Sequence, residues 1–389
     1  MERFRSGGPF FLVVLSVLTV IFGGASGLLG VCGPFTDVAA DSFCPFVLEI
    51  FTLGITTGTS PTTYDPTSGV NRLQMAAFLS RSVDGVLKRG SHRAALGQFW
   101  TPQNETVLGL TTVAFAPRLP RSDGLDVWVP NNGGASVSRV RGTDGRLLET
   151  WTGANGAYDV RVAMGRIFVV GATAPGSLYR IDPSQAAGAV TTIASNLGDS
   201  SIGIAFDGSR IWTANNGASV SIVTPGATIP WTVTTVTTGF SVPMGILYDS
   251  ANIWVTDQSA KTLQKLDSAG AVLLTVTVGS FPQVPAFDGA NIWVPNLSSN
   301  SVSVVRASNG TILQTLTGTG LSSPQAAAFD GQRVLVTNGG GDSVSLWKSA
   351  DLTSLGSFST GAGTAPLGVC SDGVSFWIAM HGASKIARF

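Results

Sequence analysis

The chain is short of charge, of cysteine and of histidine, and each shortage removes a class of function. Charged residues fill 12% of the 389 positions, and 23 Lys plus Arg balance 23 Asp plus Glu. No overall field draws nucleic acid or an anionic membrane toward the chain, so nucleic-acid binding is not expected. Three Cys and two His, with no CxxC pair and no Cys/His cluster, leave little from which to build a zinc site. A local run of positive charge, Arg81, Lys88, Arg89, His92 and Arg93 against Asp84, reads as the solvated face of a linker. What the chain does hold is glycine, at 48 residues, and a 44% share of apolar side chains. That is the composition of many short strands joined by tight turns around a sizeable core.

Residues 1–31 read as an export signal: Arg3 and Arg5, then the uncharged run 10–22, then the small residues Ala25-Ser26-Gly27 for cleavage. Uncharged sequence continues over 7–31, long enough to span a bilayer, so a retained amino-terminal anchor is the alternative. The expected location is secreted, cell surface or periplasm, with membrane contact only if the signal is retained. In such an oxidising setting Cys32 and Cys44 are candidates for a disulfide. Cys370, within a strand, reads as a small buried hydrophobe.

Segment 32–82 has apolar residues at helical spacing (Phe46, Val47, Ile50, Phe51 and Leu53), turn chemistry at 54–58 and at Tyr64-Asp65-Pro66, and a second helical run from Arg72. A linker, 83–97, follows. Together, Phe35-Thr36-Asp37-Val38, the 54–58 turn, Tyr64-Asp65-Pro66 and Asn71-Arg72-Leu73-Gln74 resemble a single S-layer homology module. The resemblance implies a grip on cell-wall polysaccharide with Arg72 as the contact, although Asn71 and Gln74 replace the family's Thr and acidic residue. The other reading is a small helical pair that caps the following domain.

From about residue 98 to 389 the chain repeats itself. One strand shows it best: Val127-Trp128-Val129, Ile167-Phe168-Val169, Ile211-Trp212-Thr213, Ile253-Trp254-Val255, Ile292-Trp293-Val294, Val334-Leu335-Val336 and Phe376-Trp377-Ile378, with central residues 40, 44, 42, 39, 42 and 42 apart. One four-stranded sheet of that length cannot bury both its faces without neighbours, so the spacing predicts a mainly β fold, a seven-bladed β-propeller. Asp123, Asp207, Asp249, Asp288, Asp330 and Asp372 each stand five residues before the central residue, in a tight turn. The seventh unit ends after its third strand, and residues 98–110 are expected to supply the missing fourth one and close the ring. In wording, as at Pro243-Met244-Gly245-Ile246 and Ile253-Trp254-Val255-Thr256-Asp257, the repeats resemble the streptogramin lyase and YVTN groups of propellers.

In ordinary propeller geometry the loops after the Trp strands and those leading into the innermost strands share one face. Ligand-binding candidates there are Asn131, Asn215, Asp257, Asn296, Asn338 and His381 from the first set, and Tyr158, Asp159, Gln283 and Gln325 from the second. A ring of amides suits a neutral, hydroxyl-rich ligand, whereas Asn after a strand also simply fits a left-handed turn. The lyase resemblance implies His and Glu around a magnesium ion, but His381 is the one His in the propeller and Glu105 and Glu149 fall outside the expected loops. Asp159 and Asp257 alone make a thin oxygen shell for a divalent cation, so neither metal nor cofactor is expected. The expectation is therefore an exported cell-envelope binding or scaffold protein whose propeller face takes a glycan, peptide or protein partner. The alternative is a channel hydrolase or lyase resembling streptogramin lyase or lactonase, with His381 as the catalytic candidate.

Overall fold

A computed structural model describes residues 34–38, 44–52, 56–79 and 109–389. The expected export signal 1–31, Cys32 with its expected pairing to Cys44, the basic run and the expected linker 83–97 lie outside these residues. The chain divides into two compact units, Met1–Trp100 and Thr101–Phe389. Among the described residues no helix is long and apolar enough to cross a membrane.

The first unit is a small knot around Phe35. Phe35, Val38 and Val47 are buried, with Cys44, Phe51 and Tyr64 packed against them. The Phe35 ring meets Phe51 edge-on at 5.2 Å and Tyr64 at 5.7 Å. Val47 and Phe51 come from the helix Cys44–Thr52, whose spacing of four residues puts both on one face. The Asp37 carboxylate accepts the Tyr64 amide at 3.0 Å and the Asp65 amide at 2.7 Å, clamping the Tyr-Asp-Pro step. A side chain at Gly58 would strike Phe35, and its φ is +77°, so glycine is required there. The second helix, 72–79, opens with a reciprocal capping box: Asn71 Oδ1 accepts the Gln74 amide and Gln74 Oε1 the Asn71 amide, each at 2.9 Å. Arg72 is exposed.

The second unit is a seven-bladed β-propeller. Seven four-stranded antiparallel sheets follow one another along the chain. Second strands such as Asp126–Asn131 are buried along their whole length, because both faces of each sheet pack on neighbouring blades. Outermost strands such as Leu147–Thr152 are mostly exposed. The first strands of the sheets run closest to the ring axis and touch across blades. Leu119 donates to the Tyr158 carbonyl at 3.0 Å and Val284 to the Gln325 carbonyl at 3.1 Å. A Cβ at Gly203 would lie 2.8 Å from the Met244 carbonyl.

One device recurs in five blades. Asp288 Oδ1 accepts the turn amides of Ala290 and Asn291 at 2.9 and 2.6 Å, while Oδ2 accepts the Trp293 indole N–H at 2.8 Å. Asp123 with Trp128, Asp207 with Trp212, Asp249 with Trp254 and Asp372 with Trp377 repeat the indole bond at 2.7–2.8 Å. Each carboxylate thus shapes its turn and satisfies the single polar atom of a buried Trp, which would otherwise be costly. The residue after the Asp lies in the left-handed region, a glycine in four of these blades, for instance Gly289 at φ +99°, and Ser250 at φ +76° in blade four. Blade six has Leu335 at the Trp position, packed toward Phe376 and Ile378 of blade seven, while Trp347, opposite Val334 on the third strand, lies on the other face, 6.4 Å from Trp293 of blade five.

The ring closes on itself through both ends of the propeller. Gly109–Thr112 pairs antiparallel with Lys385–Arg388, with Leu110 opposite Ala387 and Thr111 opposite Ile386, and completes the seventh sheet. The closing strand overlaps the 98–110 segment that the repeat pattern nominates only at 109–110 and runs two residues beyond it. Phe389 exchanges two backbone hydrogen bonds with Phe376, at 2.8 and 2.9 Å, so the chain is paired to its last residue.

Candidate functional site

The five Asn and Asp candidates that follow the Trp strands sit one per blade, and all are fully buried. Asn131, Asn296 and Asn338 each donate from Nδ2 to two serine hydroxyls at the start of the next strand: Ser136 and Ser138, Ser301 and Ser303, Ser343 and Ser345. Asn215 donates to Ser219 and Ser221 and accepts from Ser201 and Thr213. These amides brace the strand connection inside each blade and expose no surface. Asp257 is enclosed by backbone: Oδ2 accepts the Ser241 amide at 2.6 Å, and Oδ1 those of Val242 and Ala260 at 3.1 and 2.9 Å. Gln283 is buried and donates to the Phe281 carbonyl. Gln325 is half-buried beside Gly339.

Tyr158, Asp159 and His381, by contrast, converge around arginines that sequence reasoning passed over. Arg118, on the approach to the first strand of blade one, stacks its guanidinium 4.8 Å from the centre of the Tyr158 ring. His381 opens a short 3-10 turn in blade seven, and its Nδ1 lies 3.3 Å from the Pro117 carbonyl. Burial first, and then the Arg118 charge, pull the His381 imidazole below its usual value. Burial pushes the Tyr158 hydroxyl up, against the opposing pull of Arg118.

Asp159 lies on the first strand of blade two at the rung where blades three, four and seven have Gly203, Gly245 and Gly368. Its carboxylate fills that close approach by accepting the Val160 amide at 2.8 Å and, across the blade boundary, the Ile204 amide at 3.2 Å. Burial nonetheless pushes the carboxyl well up, with Arg121 opposing. Arg121 Nε is 3.6 Å from Asp159 Oδ1, an ion pair beyond hydrogen-bond length. Among the described residues no three His, Cys, Asp or Glu gather as a metal site requires.

Cys370, on the first strand of blade seven, is buried, and desolvation pushes its thiol up to about 12. A thiol so protonated is a poor nucleophile. Iodoacetamide at mildly alkaline pH is therefore expected to leave Cys370 unmodified in the folded protein and to alkylate it in denaturant, read by peptide mass spectrometry.

In the first unit a cavity of about 320 Å³ is lined by Thr56, Thr57, Thr59, Tyr64, Asp65 and Gln74, among others. Arg72 begins the helix that forms one of its walls.

No family model matches the chain, and no curated protein matches its sequence. Solved structures do match the propeller. A streptogramin B lyase matches at 17% identity and a TM-score of 0.62, over 72% of this chain and 96% of that one. The virginiamycin B lyase of Staphylococcus aureus matches at 18% identity and 0.62, over 72% and 98%. The WD40 β-propeller domain of Doa1 matches at 12% and 0.58, over 73% and 96%. Identities this low carry the architecture and not the activity. Residues 109–389 are thus a seven-bladed β-propeller with lyase and WD40 propellers among its structural neighbours.

Proposed function

We propose that this chain is an exported cell-envelope protein in which the propeller is a binding platform for an envelope partner and the first unit provides attachment through Arg72. The observation that carries the platform reading is the convergence of Arg118, Arg121, Tyr158, Asp159 and His381 at one side of the channel, where cations outnumber their internal partners. Export is supported by the signal-like segment 1–31. Attachment is supported by the S-layer-like wording of the first unit, whose residues build one knot and leave Arg72 exposed beside a hydroxyl-lined cavity.

Co-sedimentation of the full chain with isolated cell envelopes tests the proposal. The wild type is expected in the pellet and Arg72→Ala largely in the supernatant; equal recovery of both in the pellet would remove Arg72, and a wild type that stays in solution would remove envelope binding altogether.

The rival reading, a channel hydrolase or lyase, has one observation in its favour: His381 stands beside Arg118 and Tyr158, with burial and the Arg118 charge disfavouring its cation. Turnover of an ester or lactone that is lost in His381→Gln would establish it. The platform account expects no turnover to lose.

A further inference from the structure

Register places Arg121 opposite Trp128 in blade one and Arg161 opposite Phe168 in blade two. The same rung of the other five first strands holds Ala205, Leu247, Ala286, Ala328 and Cys370. Two guanidinium groups therefore stand on adjacent strands in an inner ring that is otherwise small or apolar, with Arg118 a turn nearer the mouth. The Nε of Arg118, Arg121 and Arg161 are all buried without a hydrogen-bond partner.

The internal supply of negative charge does not match this. Asp159 is the one carboxylate at hand, and two backbone amides already occupy it. Arg121 reaches it only at 3.6 Å, and the Arg161 side chain makes no hydrogen bond or ion pair among the described residues. Burial and then the like charge of Arg121 work against the Arg161 cation, with the Asp159 charge opposing them. An Nε–H left dry and unpaired is costly in a folded protein. Planar donor forks are also matched in shape to the two oxygens of an oxyanion.

We propose that the blade-one and blade-two side of the channel is a binding site for an oxyanionic group, phosphate, sulfate or carboxylate, gripped by Arg121 and Arg161 with Arg118 at its mouth. Cross-blade bonds such as Leu119 to Tyr158 draw the first strands together, so the ligand is a small anion or the charged end of a slender molecule. The inference deepens the platform reading and rests on it. An isolated trio of arginines in a chain of zero net charge suits one anionic group rather than a polyanion track.

The test is calorimetric titration of the full chain, in chloride at constant ionic strength, with sodium phosphate, sodium sulfate and sodium acetate in separate arms. Saturable binding of at least one of them at one per chain is expected. Arg121→Met and Arg161→Met should each weaken it about tenfold or more, the scale of one charge-assisted bond. In chloride alone Arg161→Met should melt no lower than the wild type, since its half-buried guanidinium makes no hydrogen bond or ion pair, whereas Arg121→Met also takes a partner from Asp159. Binding absent in all three arms, or unchanged in both variants, overturns the site; if the variants do not fold, the wild-type titration decides alone. Envelope co-sedimentation that survives a failed titration leaves the platform standing without this site, and the converse leaves the site without the platform.

Discussion

Deletion of residues 385–389 is expected to unfold the propeller rather than trim it. The strand Lys385–Arg388 pairs on one side with Phe376–Met380 and on the other with Gly109–Thr112, so its loss frees the closing strand and leaves blade seven with two strands. Ile386, fully buried, also packs with Val113, Val127, Val129, Val140, Cys370 and Trp377. That cluster joins blade seven to blade one and would open to water. Losing one buried aliphatic side chain costs about 2–5 kcal/mol, and two exposed sheet edges add an aggregation hazard. At about 2 °C per kcal/mol for a domain of this size, the melt should fall by roughly 10 °C or more, or folded protein should not be recovered. Circular dichroism of the truncated chain beside the wild type reads this; a melt within a degree or two would show that closure contributes little.

Trp254→Ala is expected to cost about 3–5 kcal/mol, the range for emptying a well-packed aromatic site. The more informative partner is Asp249→Ala. Removing that carboxylate strips the Trp254 indole N–H of its acceptor at 2.7 Å and two turn amides of theirs, for about 1–3 kcal/mol. With Trp254→Phe the double-mutant cycle should show positive coupling, because the aspartate then has less to satisfy. The related Asp207 adds a pH signature. Burial alone would raise its carboxyl, but the Trp212 indole, the Arg210 and Ser209 amides and the Ser209 hydroxyl outweigh that and hold it down at about 2. Its ordinary value being about 4, the stabilisation is complete above about pH 4 and lost as pH falls through about 2. Urea midpoints across that window should fall more steeply for the wild type than for Asp207→Asn.

The architecture was readable because blades obey a rule that survives in one dimension. Trp128, Trp212, Trp254, Trp293 and Trp377 recur at nearly constant spacing, since each must fill the same gap between sheets, and a seventh unit one strand short pointed to a strand from the other end. Less legible was where the side chains after those strands turn. Asn131, Asn296 and Asn338 look like loop residues facing a ligand until their serines five and seven positions on are noticed; a hydroxyl-bearing rung beside an amide is the local signal for bracing. Arg121 and Arg161 carried a signal of their own, being 40 residues apart, one blade period. That signal is weak in one dimension because a blade signature is what recurs in every unit, and these two arginines occur in only the first two. Blade six keeps the period without the Trp: Leu335 holds the position and packs toward Phe376 and Ile378 of blade seven, so spacing and apolar character, not the indole, mark the unit.

All of this depends on the ring being closed by a strand from each end of the propeller. The direct measurement is a disulfide between Thr112→Cys and Lys385→Cys, opposed residues of the closing pair, in a chain whose native cysteines are replaced by serine. Opposed positions in antiparallel strands lie about 4.5–5.5 Å apart, within disulfide reach. Mild oxidation is predicted to give an intramolecular bond in nearly every molecule, identified by peptide mass spectrometry, and a higher melting temperature. Two thiols that stay reduced in the folded monomer, or that link only between molecules, would contradict the closed ring.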